Sequence, residues 1–321
     1  MVFVTGATGF IGAALVARFA AQGQDVLACD ARPPADAVAK SWGKTVSFAE
    51  CDVRDRAAVR SLVERSGPSG PIIHLAGILT AGCDTDPIAA VQVNLQGFQH
   101  VVDAACAVGK NCVVLASTIG VYGRDLPQPI DETMRTEPDG WYGYTKLASE
   151  LMGLLCQRRN GLDFRAVRLA AVTGPGRAAA SGSASLFTSF IAEKAALGEP
   201  YEIEVTEDTA YPVVYIKDAV EALFALSTVP KAPSRIYNVS SGRVIVNEMV
   251  AYVKSKIPGA RFTFKPNPVV MSVVSGYKDW HIGCETIRRD IGWVPAYGVQ
   301  AMIDDIIATV QKGKRQERSG A

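Results

Sequence analysis

The sequence predicts an α/β fold: a doubly wound parallel sheet followed by a smaller C-terminal α/β lobe. Three observations carry this. Short apolar, β-favouring runs alternate with helical runs from Val2 to Ala170. These runs are apolar throughout, as in parallel strands covered on both faces. The first thirty residues also read strand, glycine-rich turn, helix, strand, acid. A length of 321 residues allows one large or two modest domains, and 48% apolar residues suit a buried sheet.

Val2-Phe3-Val4 is the first strand. Thr5-Gly6-Ala7-Thr8-Gly9-Phe10-Ile11-Gly12 follows, its three glycines spaced three apart. Gly6 permits a tight turn, Gly9 lets a pyrophosphate approach the main chain, and Gly12 lets the helix pack on the strand. Unpaired N–H groups at the helix start, around Phe10 and Ile11, face the phosphates. An alanine-rich helix, Ala13 to Ala21, leads to a second strand, Asp25 to Cys29, which ends on Asp30. Asp30 can accept hydrogen bonds from both adenosine ribose hydroxyls, and its charge repels a 2′-phosphate. NAD is therefore predicted over NADP, with Arg32 the one nearby cation that opposes this.

After a proline-bearing connection, Ala31 to Lys44, the third strand runs from Thr45 to Cys51. Asp52 and Val53 lie at its carboxyl end, where adenine would sit; Asp52 fits a plain loop acid equally well. Asp55 caps a helix from Arg56 to Arg65. The fourth strand starts at Pro71 and ends on Leu75-Ala76-Gly77, small enough for a cofactor to pass; His74 within it reads as a core histidine. One long helical segment, Asp86 to Gly109, contains Asn94. The fifth strand, Asn111 to Thr118, carries Ser117 and Thr118 at its end. A polar loop, Pro127 to Gly140, rims the site and leads into the helix Tyr142 to Arg159 and the sixth strand, Phe164 to Ala170.

Val172 to Ser185 reads as a loop over the cleft. Beyond it come a helix (Leu186 to Leu197), a strand (Tyr211 to Ile216) and a helix (Lys217 to Ser227). A strand (Arg235 to Ser240), a helix (Val246 to Lys256) and a short strand (Arg261 to Lys265) follow. The tail, Lys312 to Ala321, is charged and expected to fray. The predicted division is a dinucleotide-binding domain at 1–172, to which 211–240 returns, and a substrate domain at 173–210 and 241–321.

With 33 Lys+Arg against 32 Asp+Glu, no basic field invites nucleic acid or an anionic membrane. No apolar run approaches the ~20 residues that span a bilayer. The start on a strand leaves no room for a signal peptide. Seven cysteines without a CxxC pair, several of them in apolar runs, read as reduced buried thiols. Three scattered histidines offer no metal-ligand spacing. A cytoplasmic, metal-free protein is expected.

The sharpest catalytic signal is Trp141-Tyr142-Gly143-Tyr144-Thr145-Lys146. Tyr142 and Lys146 are four apart, so on a helix they share a face. A neighbouring ammonium stabilises a phenolate and lowers a tyrosine pKa. Tyr142 would then act as base toward a substrate hydroxyl as hydride leaves, or as acid in reverse. Lys146 could also hold the nicotinamide ribose, and Thr118 could orient the reacting oxygen. Tyr122 and Tyr144 compete as tyrosines, but neither has a lysine four residues on.

Taken with His74-Leu75-Ala76-Gly77, Asn94, Val121-Tyr122-Gly123 and Arg168 with Gly174-Pro175, these motifs resemble an extended short-chain dehydrogenase/reductase of the NAD-dependent epimerase/dehydratase family. The resemblance covers nearly the whole chain. It implies a Rossmann domain, a smaller substrate domain, a role for Asn94 beside Thr118, Tyr142 and Lys146, and often a homodimer built on two helices. Those helices match Asn94 to Ala107 and Tyr144 to Arg159, whose outward apolar residues suit core packing equally. Glu207-Asp208-Thr209, Pro212 to Tyr215 and Arg288 to Tyr297 resemble the L-threonine 3-dehydrogenase branch and, loosely, D-erythronate dehydrogenase. By matched position, Thr80, Ser117, Thr118, Tyr142, Ser183, Ser185 and Trp280 would line the substrate pocket. Arg177 would meet a carboxylate or phosphate, or else be a solvated loop residue; for the serines and Trp280, loop and packing roles fit as well.

The expectation is an NAD-dependent oxidoreductase that takes hydride from a secondary alcohol of a small hydroxy acid, sugar acid or amino alcohol. The alternative is a nucleotide-sugar epimerase or dehydratase with tightly bound NAD. Against it, Ala171 replaces the asparagine usual in sugar-nucleotide epimerases, and Ile119, not an acid, follows Thr118.

Overall fold

The computed structural model of the chain describes residues 1–109, 112–178 and 183–319, with side chains as far as 315. Its strands are β1 Val2–Thr5, β2 Val26–Asp30, β3 Val46–Glu50, β4 Ile72–His74, β5 Cys112–Thr118 and β6 Asp163–Leu169, then β7 Ala171–Thr173, β8 Tyr201–Ile203, β9 Ala210–Tyr215, β10 Ile236–Val239, β11 Gly242–Ile245 and β12 Phe262–Phe264. A seven-stranded sheet takes the order β10-β6-β5-β4-β1-β2-β3. All its pairings are parallel. Thr5 pairs with Cys29 on one side and His74 on the other, so β1 is central.

Neighbouring residues on each strand supply opposite cores. Val2, Val4 and Ala28 face a cluster containing Leu15 and Phe19 of helix α1 (Phe10–Ala20). Phe3 and Leu27 face a cluster with Val59 and Val63 of α2 (Arg56–Ser66), Phe98 and Val101 of α3 (Gly97–Val108), and Phe164. Helix α4 (Trp141–Asn160) lies beside α3. Two covered faces explain why the strands read as unbroken apolar runs. Asp55 caps α2, its carboxylate accepting from the amides of Ala57 and Ala58 at 3.0 Å each.

The remaining strands form a three-stranded sheet, β11-β9-β7, and a two-stranded one, β12-β8. Helix α5 (Phe187–Leu197) packs against the C-terminal helix. Helix α6 (Ile216–Thr228) returns to pack on α1, with Phe19 and Phe224 5.0 Å apart. After it, β10 joins the edge of the main sheet.

Several sequence expectations are corrected. The strand assigned with 211–240 to the first domain, β9, pairs instead with β7 and β11; only α6 and β10 reach the main sheet. The connection Ala31 to Lys44 contains a helix, Asp36–Trp42, anchored by Trp42, whose indole N–H donates to Ala13 O at 3.2 Å. The segment Asp86 to Gly109 is interrupted: a short helix, Pro87–Ala90, and a π-helical turn, Val91–Gln96, precede α3. The charged tail is helical through Ser319, as part of α7 (Val299–Ser319). Met302, Ile303, Ile306 and Ile307 form its buried stripe, and the charges that suggested fraying belong to its continuation. Asn111, residues 179–182 of the cleft loop and the last two tail residues lie outside the described residues. Among those described, no helix is long and apolar enough to cross a membrane.

Candidate active site

The carboxyl ends of the central strands meet the glycine turn, where open parallel sheets place their ligands. Gly6 sits at φ +66, and a Cβ there would lie 2.5 Å from the Ala76 amide nitrogen. A Cβ on Gly12 would strike Gly6 O at 2.1 Å, so the start of α1 must lie directly on the turn. Gly9 differs: a Cβ would meet only Gly6 O, at 3.2 Å, and its outer side is open. No side chain caps α1 at Gly9, which leaves the N–H groups of its first turn, at Phe10 and Ile11, for an anion. Asp30 stands beside this turn, its Oδ2 accepting from the Thr8 amide at 3.0 Å. An open glycine, an uncapped helix start and an acid at the end of β2 fit a dinucleotide.

The β4 exit completes the cradle. Leu75 N donates to Thr5 O at 3.1 Å, and Ala76 N to Thr5 Oγ1 at 3.4 Å. His74 is buried with Nδ1 2.8 Å from Thr5 Oγ1, and burial pushes its pKa down to about 3, so it stays neutral. Asp52 is held by Arg54, Nη2 to Oδ2 2.5 Å, which lowers its pKa. Val53 is buried against Gly97, and its carbonyl accepts from His100 Nδ1 at 2.9 Å.

Gly143 lets α4 approach the end of β5 closely. Its Cβ would lie 2.1 Å from Gly120 O, so α4 approaches the turn after β5 almost main chain to main chain. That contact brings the start of α4, with Tyr142, to the turn that follows Thr118. Thr118 Oγ1 accepts from the Gly120 amide at 3.1 Å, leaving its proton free to donate. Lys146 is 3% exposed; its Nζ donates to Ala116 O at 2.9 Å and stands 5.9 Å from the Tyr142 ring centroid.

One electrostatic expectation is reversed. In the chain alone, burial raises the Tyr142 pKa above its ordinary 10, reinforced by Cys83 and Tyr277 and opposed by Arg177. Burial also lowers the Lys146 pKa to about 8. Desolvation is the largest cause of both shifts.

Asn94 occupies the π-helical turn, a geometry that recurs at functional sites. Its Oδ1 accepts from Ile78 N at 2.7 Å, and its Nδ2 donates to Ile78 O at 3.0 Å and Thr145 Oγ1 at 3.1 Å. Asn94 thus ties the β4 exit to α4. Cys83 joins this group, 3.5 Å from Asn94 Nδ2, on the short helix that Thr80 opens.

Ser117 departs from its expected pocket position. Adjacent strand residues point to opposite faces, and Ser117 turns away from Thr118 to donate to Glu150 Oε1 at 2.5 Å. Glu150 also holds Arg168, with Nη2 to Oε2 at 2.7 Å and both side chains nearly inaccessible. Arg168 lies over the Tyr122 ring at 4.7 Å, and Tyr122 Oη donates to Asn238 Oδ1 at 2.7 Å. This buried chain of contacts crosses from α4 through β6 to β10.

On the substrate side, Arg177 Nη2 donates to Ser183 Oγ at 2.6 Å and Nη1 to Ser185 Oγ at 3.3 Å. Trp280 is buried between Tyr277, 4.6 Å between centroids, and Tyr122, 6.2 Å. Tyr277 stands in front of it. Its Oη and Thr118 Oγ1 each come within 3.4 Å of where a Gly120 Cβ would sit. Tyr211 packs against Tyr277 with ring centroids 5.0 Å apart, tilted by 51°. Sequence reasoning missed Tyr211, Tyr277 and Glu150. Glu150 had a usable signal, since it follows Tyr142 and Lys146 at four-residue steps; the two tyrosines reach the site only through tertiary packing.

This sheet and cradle define an NAD-dependent enzyme of the extended short-chain dehydrogenase/reductase class. Residues 2–240 match the NAD dependent epimerase/dehydratase family, and the chain belongs to that family. It is 26% identical over 314 residues to the mitochondrial L-threonine 3-dehydrogenase of Bos taurus, covering 95% of this chain and 81% of that protein. The L-threonine dehydrogenase structure from Phytophthora infestans superposes with a TM-score of 0.87 at 27% identity, covering 97% and 99% of the two chains. The UDP-glucose 4-epimerase of Thermotoga maritima shares the fold, with a TM-score of 0.85 at 20% identity over 98% and 99% of the chains.

Proposed function

We propose that the chain is a dehydrogenase that oxidises a secondary alcohol on a small polar substrate, a hydroxy acid, sugar acid or amino alcohol. The close approach of Gly143 to Gly120, which groups Tyr142, Thr118 and Lys146, carries this reading. NAD, when bound, supplies the hydride acceptor. Gly6, Gly9, Phe10, Ile11 and Gly12 would hold its pyrophosphate and Asp30 its adenosine ribose, Asp52 and Val53 would border adenine, and Leu75, Ala76 and Gly77 would let it pass over β4. Thr118 donates its free proton to the substrate oxygen and orients it. Tyr142 Oη takes the hydroxyl proton as the carbinol C–H bond breaks, and returns it in the reverse reaction. Lys146 would steady the phenolate that accepts this proton and would reach the nicotinamide ribose. Asn94 acts as a positioning residue, holding the β4 exit against α4.

Release of NADH from a panel of hydroxy acids, sugar acids and amino alcohols tests the reading; a chain that reduces NAD with none of them is no such dehydrogenase. The shared fold of the UDP-glucose 4-epimerase keeps a second reading in view. Tightly retained NAD with turnover of a UDP-sugar and no net NADH would establish it. Ala171 and Ile119 weigh against it.

We also propose the division into lobes at 1–172 with 216–240, and 173–215 with 241–321. A homodimer through α4 accompanies it. Trp141, Tyr144, Leu151 and Leu155 on that helix are 45%, 51%, 58% and 39% exposed, and Ile88 beside them 72%. Light scattering should give twice the chain mass, and Leu151→Asp half of that.

A further inference from the structure

Arg177 is a half-buried cation with no carboxylate partner. Its guanidinium donates to Ser183 Oγ at 2.6 Å, Ser185 Oγ at 3.3 Å and, weakly, Ser185 O at 3.5 Å. The two serine hydroxyls are themselves 3.1 Å apart. No Asp or Glu forms an ion pair with Arg177 among the described residues; the strong buried arginine pairs, such as Arg168 with Glu150, lie elsewhere. A desolvated guanidinium held only by neutral hydroxyls is unbalanced, because a buried charge without a counter-charge is costly. Burial draws its pKa down to about 10, and the phenols of Tyr211 and Tyr142 pull it back up. The same charge acts on both phenols in return, opposed at Tyr142 by Cys83 and Tyr277 and at Tyr211 by Tyr277. Tyr277 feels Asp139, but that acid is paired with Arg124.

We infer that Arg177, with Ser183 and Ser185, receives an anionic group of the substrate, and that the substrate carries no ammonium group. The inference rests on the dehydrogenase reading and narrows it to hydroxy-acid anions. A carboxylate or phosphate replaces the missing counter-charge and takes bidentate hydrogen bonds from the guanidinium. The serine hydroxyls then turn to donate to it, since each can rotate its proton. An ammonium would face that cation across the pocket. The L-threonine dehydrogenases among its relatives thereby share the scaffold, while this pocket selects a deaminated hydroxy acid.

Two measurements separate this inference from the reading beneath it. Thermal unfolding with malonate or inorganic phosphate needs no turnover. One of the two should raise Tm for the wild type and for Arg177→Lys, and leave Arg177→Gln unmoved. Malonate alone identifies a carboxylate site and phosphate alone a phosphate site; equal protection of Arg177→Gln overturns the inference. Kinetically, 3-hydroxybutyrate should be oxidised in preference to L-threonine. Arg177→Gln should raise its KM on the order of 10- to 100-fold, with partial rescue by Arg177→Lys and an unchanged pH profile of kcat. If the chain releases NADH but L-threonine is the better substrate, the inference fails and the dehydrogenase reading survives. If no alcohol is oxidised yet malonate protection still depends on Arg177, the dehydrogenase reading fails and the anion site survives.

Discussion

Lys146 donates to the carbonyl of Ala116 at 2.9 Å while its ammonium stands 5.9 Å from the Tyr142 ring centroid. One hydrogen bond from the β5 main chain thus fixes the lysine behind the tyrosine. Both groups are disfavoured in their charged forms, because both are buried together. A proton-accepting phenolate therefore depends on added positive charge, which an oxidised nicotinamide carries. Oxidation should accelerate as pH rises, since the raised Tyr142 pKa keeps the phenol protonated at neutral pH.

Tyr142→Phe removes the proton acceptor and leaves the cradle intact. We expect kcat to fall about 10³-fold, within the range that acid–base catalysis supplies. Calorimetric titration should show unchanged NAD affinity. Retained turnover would exclude Tyr142 as the base.

Lys146→Met tests the burial of the ammonium. The folded state holds the lysine proton less tightly than the unfolded chain, with a pKa of about 8 against 10.5. Below pH 8 this costs stability, and the cost fades as pH climbs toward 10.5. The gap corresponds to roughly 3 kcal/mol. Relative to the variant, the wild type should therefore gain stability between pH 8 and 10.5. Denaturant midpoints that run parallel across that window would contradict the assignment.

Glu150 should matter for stability more than its distance from the cofactor suggests. Glu150→Gln leaves Arg168 buried without a counter-charge, a loss of about 3–5 kcal/mol. Ser117→Ala should cost less, about 1.5–3 kcal/mol, with KM unaltered, because its hydroxyl faces Glu150. A substantial rise in KM for Ser117→Ala would return that serine to the pocket.

Asp30→Ser removes the charge that opposes a 2′-phosphate. NAD affinity should drop and NADP affinity rise, helped by Arg32 two residues on. Competitive binding of the two cofactors reads the ratio. An unchanged preference would place the ribose elsewhere.

What the sequence disclosed follows from how local each feature is. The spacing of Gly6, Gly9 and Gly12 is fixed by a single turn, and that of Tyr142 and Lys146 by one helical repeat, so both were legible. The unbroken apolar strands announced a sheet covered on two faces. Arg177 and its serines were reachable by motif, but the lack of a carboxylate beside them emerges only in three dimensions. Tyr211 and Tyr277 arrive from β9 and from the turn before Trp280, far along the chain, and carry no periodic signal. The opposed pKa movements of Tyr142 and Lys146 could not be read from spacing, because desolvation depends on everything packed around them.

The late return of β10 to the edge of the main sheet has a practical corollary. Strand β6 is bonded along its outer side by Ile236 to Val239, residues synthesised only after the first segment of the second lobe. A fragment ending near residue 172 would bare that side as an unprotected hydrogen-bonding edge, an invitation to aggregate. Neither half should be obtainable alone as a well-behaved recombinant piece. Grafting a new specificity onto this scaffold would therefore mean exchanging two separate segments at once, on either side of α6 and β10, rather than swapping a terminal module.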